Sequence, residues 1–146
     1  MELVEARRLA NDLIAQHQLS GWSFRFDHAR QRCGSCDYAN AQISLSRHFA
    51  QLNSKDEVRN TLLHEIAHAL AGPRVGHGPK WQRIAKQIGA RAEATNGQAE
   101  MPKPKWSLVC NRCKKTVALR HRRMLNLNHT RCGYCGPPGE LSWQAL

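Results

Sequence analysis

His64-Glu65-Ile66-Ala67-His68 sets two imidazoles four residues apart around a glutamate. In a helix that spacing puts both rings on one face with the carboxylate beside them. Nine residues after His68, His77 stands inside Gly76-His77-Gly78-Pro79 and offers a third nitrogen. Three protein ligands leave the fourth place on a zinc ion for water. The metal lowers the pKa of that water to about 7, and a neighbouring carboxylate can take its proton as it attacks a polarised carbonyl. This is hydrolytic chemistry, with His64, His68 and His77 as ligands of a catalytic zinc and Glu65 as general base. Glu93 and Glu100 compete for the third ligand position. His77 is preferred, because Gly76 and Gly78 let the backbone approach the metal closely.

A second constellation is of a different kind. Cys110-Asn111-Arg112-Cys113 and Cys132-Gly133-Tyr134-Cys135 are two CxxC pairs with 18 residues between them, the spacing of a zinc ribbon. Four thiolates close a tetrahedron and leave no open position, so a zinc held by Cys110, Cys113, Cys132 and Cys135 is structural. His121 and His129 lie between the pairs but lack the spacing of a substitute ligand. The reading is therefore two zinc ions per chain. A third CxxC, Cys33-Gly34-Ser35-Cys36, has no partner pair, and Gly34-Ser35 reads as a turn between strand-like segments.

These groups need elements to position them. Ser54 and Glu57 form a capping box, Gly72-Pro73 is a stop, and the residues between are largely apolar, so a buried helix is predicted over 55–71. There, two unpaired imidazoles and a carboxylate would be costly to desolvate without a metal. Pro79 suits the first position of another helix, running to Ile88 with Gly89 as its stop. Upstream, Leu3, Ala6, Leu9, Ala10, Leu13 and Ile14 repeat at helical spacing. Trp22, Phe24 and Phe26 alternate with polar residues as a strand does, as do Ile43 and Leu45. The two strands are expected as neighbours in a small antiparallel sheet, giving an α+β core over 1–92. A linker follows over 93–105, marked by Thr95-Asn96-Gly97 and Pro102-Lys103-Pro104, and then the ribbon over 106–146.

Charge divides the chain in the same place. Residues 1–100 carry 13 basic and 10 acidic side chains, a balance of +3; residues 101–146 carry 9 and 1, a balance of +8. Arg112, Lys114, Lys115, Arg120, Arg122, Arg123 and Arg131 lie between Cys110 and Cys135 with no acid among them. Part of that charge offsets a four-thiolate zinc, and the surplus points to a polyanion, nucleic acid rather than membrane. Trp106, Tyr134 and Trp143 either offer stacking surfaces for single-stranded bases or fill the small ribbon core. No apolar run reaches the ~18 residues of a membrane span, and the N-terminus has early acids and no apolar stretch. The expectation is a monomeric cytoplasmic protein, nucleoid-associated if bacterial, whose cysteines are thiols or metal ligands. His17, His28, His48 and His121 have no ligand spacing and read as surface or structural residues.

Leu62-Leu63-His64-Glu65-Ile66-Ala67-His68-Ala69, Gly76-His77-Gly78-Pro79-Lys80-Trp81 and the stretch from Gly34-Ser35-Cys36 to Ile43-Ser44-Leu45-Ser46 together resemble the SprT-like metalloproteases related to Spartan. The resemblance covers nearly the whole chain. It implies a zincin-like core, His64, His68 and His77 on zinc, Glu65 as base, a packing role for Cys36, DNA as activator and proteins crosslinked to DNA as substrates. The leading reading is thus a zinc-dependent protease acting on DNA-associated proteins, with single-stranded or distorted duplex DNA as partner. The alternative is a non-enzymatic, transcription-related ribbon factor with a largely inactive zincin core. Zinc hydrolysis of a non-peptide bond is a third reading.

Overall fold

The computed structural model describes residues 1–137 and 140–146. It divides into two compact units, Met1–Pro102 and Lys103–Leu146.

In the first unit α1 (Leu3–Gln16) buries Ala6, Ala10, Leu13 and Ile14, the stripe its sequence repeats. β1 (Ser23–Asp27), β2 (Gly34–Asp37) and β3 (Gln42–Ser46) form a sheet in the order β1-β3-β2. The pairing departs from the expected antiparallel neighbours. β1 and β3 do pair, from Ser23 opposite Gln42 to Asp27 opposite Ser46, but in parallel. The antiparallel partner of β3 is β2, and Gly34-Ser35, expected as a turn, lies within that strand. The actual turn is downstream, where Asp37 accepts from the Asn40 amide at 3.1 Å and from its side chain at 2.7 Å. That local hairpin leaves one edge of β3 for β1. As the central strand, β3 is buried on both faces, so its serines need partners: Ser44 donates to Asp27 at 2.8 Å and Ser46 to the Ala29 carbonyl at 2.6 Å.

A short helix that periodicity did not mark, α2 (Arg47–Leu52), follows at once, with Ser46 accepting from the Phe49 amide at its start. α3 (Lys55–Ala71) and α4 (Pro79–Ile88) have the predicted bounds. Ser54 caps α3 through the Glu57 amide at 3.4 Å. The Glu57 carboxylate does not complete the capping box; it takes Arg91 at 3.0 and 2.8 Å and Asn96 at 2.9 Å. Those bonds matter for the far end of the unit. Residues 93–102, expected in the linker, lie in the first unit, where the Glu100 amide donates to Asn53 at 2.9 Å and Met101 packs on the core. Asn53 and Glu57 offer fixed acceptors to a segment whose own sequence shows no periodicity. The core itself is built on Phe49, Leu62, Leu63, Ile66 and Trp81.

The second unit is a three-stranded antiparallel sheet of β4 (Trp106–Cys110), β5 (Thr116–Arg120) and β6 (Leu141–Ala145), in the order β5-β4-β6. Leu108, Val109, Cys110 and Cys132 are its buried apolar residues. Among the described residues, no helix is long and apolar enough to cross a membrane.

Candidate metal centres and active-site cleft

α3 carries His64 and His68 one turn apart, and the loop from Gly72 to Gly78 brings His77 back over them. The His77 Nε2 lies 3.0 Å from that of His64 and 3.1 Å from that of His68. Zinc–nitrogen bonds of 2.0–2.1 Å at tetrahedral angles put ligand nitrogens ~3.3 Å apart, so the three atoms fit one ion. Burial, then the charges of the neighbouring rings, holds the His64 and His68 imidazoles down at about 4, which keeps them in the neutral form that binds metal. His77 is the residue that joins His64 and His68; among the described residues neither Glu93 nor Glu100 is part of the cluster. The flanking glycines act differently from the expected close approach. Gly76 is needed for its left-handed backbone, φ +56°, and a Cβ there would meet nothing within 4 Å.

Trp81, fully buried on α4, is the floor of this site. Its ring lies 4.6 Å from those of His64 and His77 and stacks on His68 at 5.3 Å, while its indole N–H donates to the His64 carbonyl at 3.3 Å. Its importance to the ligands was visible in sequence only as an aromatic two residues after Pro79.

Glu65 is 8% exposed, and burial pushes its carboxyl up to about 7, with the charge of Arg32 pulling the other way. A cation on the three imidazoles would draw it down again. β2 crosses so close to Glu65 that only glycine fits at position 34. A Cβ on Gly34 would sit 2.9 Å from the Ser44 carbonyl oxygen and 3.1 Å from the Glu65 Cγ. This is the role of Gly34 in the third CxxC. Cys33 and Cys36 are free thiols on either side of it, and burial, then Glu65, raises both, Cys36 to about 12.

The site opens into a cleft of about 460 Å³. Arg32, Cys33 and Gly34 line one wall, Asn60, Thr61, His64 and Glu65 the helix side, and residues 93–96 with Ala99 and Met101 the remaining wall, which meets the first where the Cys33 thiol lies 3.9 Å from the Met101 sulfur. That last wall is held by the bonds of Glu57 and by the Arg91 amide donating to Asn60 at 2.9 Å. A buried glutamate beside a convergent imidazole triad in a cleft is equipped for metal-assisted hydrolysis.

The second cluster gathers the four predicted cysteines, whose sulfurs all lie within 4.8 Å of one another. The Cys113 and Cys132 sulfurs are 3.6 Å apart. Zinc–sulfur bonds of ~2.3 Å predict ~3.8 Å between ligands, so this set also fits one ion. Tight turns aim each pair: the Lys114 amide donates to the Cys110 carbonyl at 2.8 Å and the Gly136 amide to that of Cys132 at 2.9 Å. Amide N–H groups directed at sulfur favour thiolates. That of Cys113 lowers Cys110, and those of Cys135 and Tyr134 bring Cys132 to about 7.

Among the described residues, none of the seven basic side chains around this cluster pairs with a carboxylate. Arg123 lies over Trp106 at 4.5 Å, Lys115 over Tyr134 at 3.4 Å, and Arg120 donates to the Leu119 carbonyl at 3.0 Å. Arg112, Lys114, Arg122 and Arg131 extend into solvent. Tyr134 is 76% exposed and so is not the ribbon's core, whereas Trp143 is half-buried and donates to the Met124 carbonyl at 3.2 Å.

The first unit thus gathers three imidazoles and a glutamate at one cleft, and the second adds a four-cysteine cluster. The chain belongs to the SprT-like family, whose family model matches residues 3–121. Among solved structures it is similar to the metallopeptidase zymogen jannalysin of Methanocaldococcus jannaschii, with a TM-score of 0.50 and 13% sequence identity, over 56% of this chain and 79% of that one. At that identity the likeness concerns the fold.

Proposed function

We propose that this protein is a zinc-dependent peptidase that hydrolyses peptide bonds of proteins held on or crosslinked to DNA, recruited or activated by DNA through its ribbon unit. The observation that carries the peptidase reading is the convergence of three Nε2 atoms within about one ion's reach beside a buried glutamate. Zinc, when bound there, supplies Lewis acidity toward the scissile carbonyl and toward a water. Glu65 accepts the proton of the attacking water on a carboxylate oxygen and delivers it to the departing amine. His64, His68 and His77 hold the ion, Trp81 fixes their rings, and the cleft walls exclude bulk water from Glu65. A second zinc on Cys110, Cys113, Cys132 and Cys135 holds the ribbon together.

The DNA part of the reading rests on seven basic side chains without carboxylate partners among the described residues, two of which, Arg123 and Lys115, lie beside the aromatic rings of Trp106 and Tyr134. Such faces take phosphates and unstacked bases, which favours single-stranded or distorted duplex DNA. The protein acts as a monomer in the cytoplasm, on the nucleoid in a bacterial cell.

Incubation of the zinc-loaded protein with a DNA-bound protein, with and without DNA and chelator, tests the whole reading. Glu65→Gln should lower turnover by about 100-fold or more with zinc retained. Equal rates for wild type and Glu65→Gln would leave the non-enzymatic ribbon factor as the better reading. Reversing Arg120, Arg122 and Arg123 to Glu should weaken DNA binding and flatten its salt dependence. Unchanged affinity and slope would assign the ribbon to other contacts.

A further inference from the structure

The metal site is open on a second side. There an opening of about 410 Å³ is lined by Cys36, Tyr38, Glu65, His68, Arg74 and Gly76. Arg74 stands in the loop that delivers His77, exposed and with φ +69°. That left-handed conformation is easy for glycine, as at Gly72 and Gly76 of the same loop, and unfavourable for arginine. Arg74 keeps its exposed side chain in the lining of that opening. The loop's root is also fixed. The Tyr38 hydroxyl, at the end of β2, is shared between the His68 carbonyl at 2.8 Å and the Gly72 carbonyl at 3.2 Å.

The charges around the site differ by side. On the first side both cations are matched, Arg32 by Asp27 at 2.8 Å and Arg91 by Glu57 at 2.8 Å, with the charge of exposed Glu93 also acting on Arg91. On the second side Arg74 has no carboxylate or hydrogen-bond partner among the described residues, and it lines the opening together with Cys36, Tyr38, His68 and the buried Glu65. An extended peptide crossing the metal site would pass both openings, since Glu65 and His68 line each of them.

We propose that Arg74 forms a substrate subsite that takes an aspartate or glutamate side chain on the side of the scissile bond bounded by Tyr38 and Gly76. It makes Arg74 a specificity-determining residue. The inference rests on the peptidase reading and deepens it.

The test uses the full zinc-loaded chain and peptides in which one residue, Glu or Gln, is moved through each position around the cleaved bond. Wild type should cleave the Glu peptide with a kcat/KM about 10-fold above its Gln counterpart at one position only, the gain of a charge-assisted contact. In Arg74→Gln that ratio should fall to about 1, and Arg74→Lys should restore most of it. A second measurement needs no turnover: in the Glu65→Gln background, fluorescence anisotropy should show the same Glu-over-Gln preference in binding, removed by adding Arg74→Gln. A wild type without acidic preference at any position, or a preference that survives Arg74→Gln in binding, overturns the subsite. If no peptide is cleaved yet the binding preference follows Arg74, the subsite stands and the peptidase reading falls.

Discussion

The two candidate metal sites differ in what surrounds them. The histidine cluster lies against a core of 18 buried apolar residues, with Trp81 beneath the rings and a cleft above. The cysteine cluster lies in a unit of 44 residues, Lys103–Leu146. Among its described residues the buried apolar ones are Leu108, Val109, Cys110 and Cys132, two of which are themselves in the cluster. On the proposed reading the first unit folds on burial and uses its metal for chemistry. The second has too little core to fold on burial, so metal binding and folding are one event.

That contrast fails first at the ribbon. Cys110→Ser with Cys113→Ser removes half the thiolates of a site whose metal contributes about 10–16 kcal/mol. Hydrogen exchange should show amide protection lost throughout residues 103–146 and kept in α3 and β3. Protection surviving in β4 would show that the ribbon folds without its metal. His77→Ala is the matching change in the other unit. It should lose metal affinity by about 100-fold or more while circular dichroism and the melting of residues 1–102 stay close to wild type. A collapse of the first unit would mean that its core also depends on the ion.

Gly34→Ala probes how tightly β2 is pressed onto the site. The added Cβ meets a backbone oxygen at 2.9 Å and Glu65 beyond it, and such overpacking costs about 1–3 kcal/mol. The melting temperature should drop by several degrees, with turnover falling alongside, since Glu65 is what moves. A variant as stable as wild type would mean that the strand can shift freely.

The smallest effect concerns the cleft wall. Arg91 and Asn96 hold the Glu57 carboxyl down at about 2, far below its ordinary 4.5. A group whose folded pKa is depressed contributes stability that is present above its unfolded pKa and lost as pH falls through the folded one. Wild type should therefore lose this contribution between about pH 5 and 2, a window in which Glu57→Gln shows a shallower decline. The same variant should raise hydrogen exchange at 91–99 at neutral pH. Identical acid profiles would remove Glu57 from the anchoring of that wall.

What the sequence determined was local. His64 and His68 are four apart, each cysteine pair spans a single turn, and Ser54, Gly72, Pro79 and Gly89 bound their helices wherever those helices pack. Spacing therefore pointed to both clusters that the fold gathers and to the glutamate between two of the histidines. What the tertiary structure decided was non-local. The parallel partnership of β1 with β3 depends on a hairpin turn at Asp37 and Asn40 that leaves β3 one free edge, and neither strand's alternation encodes direction. Gly34 looked like a turn glycine because the approach of Glu65, 31 positions later, cannot be read from its neighbours. Residues 93–101 read as linker because the acceptors that hold them, Asn53, Glu57 and Asn60, lie on other elements. The charge asymmetry of the two openings, with Arg32 and Arg91 matched and Arg74 left alone, exists only once the chain has brought Asp27, Glu57 and the loop after α3 around one site.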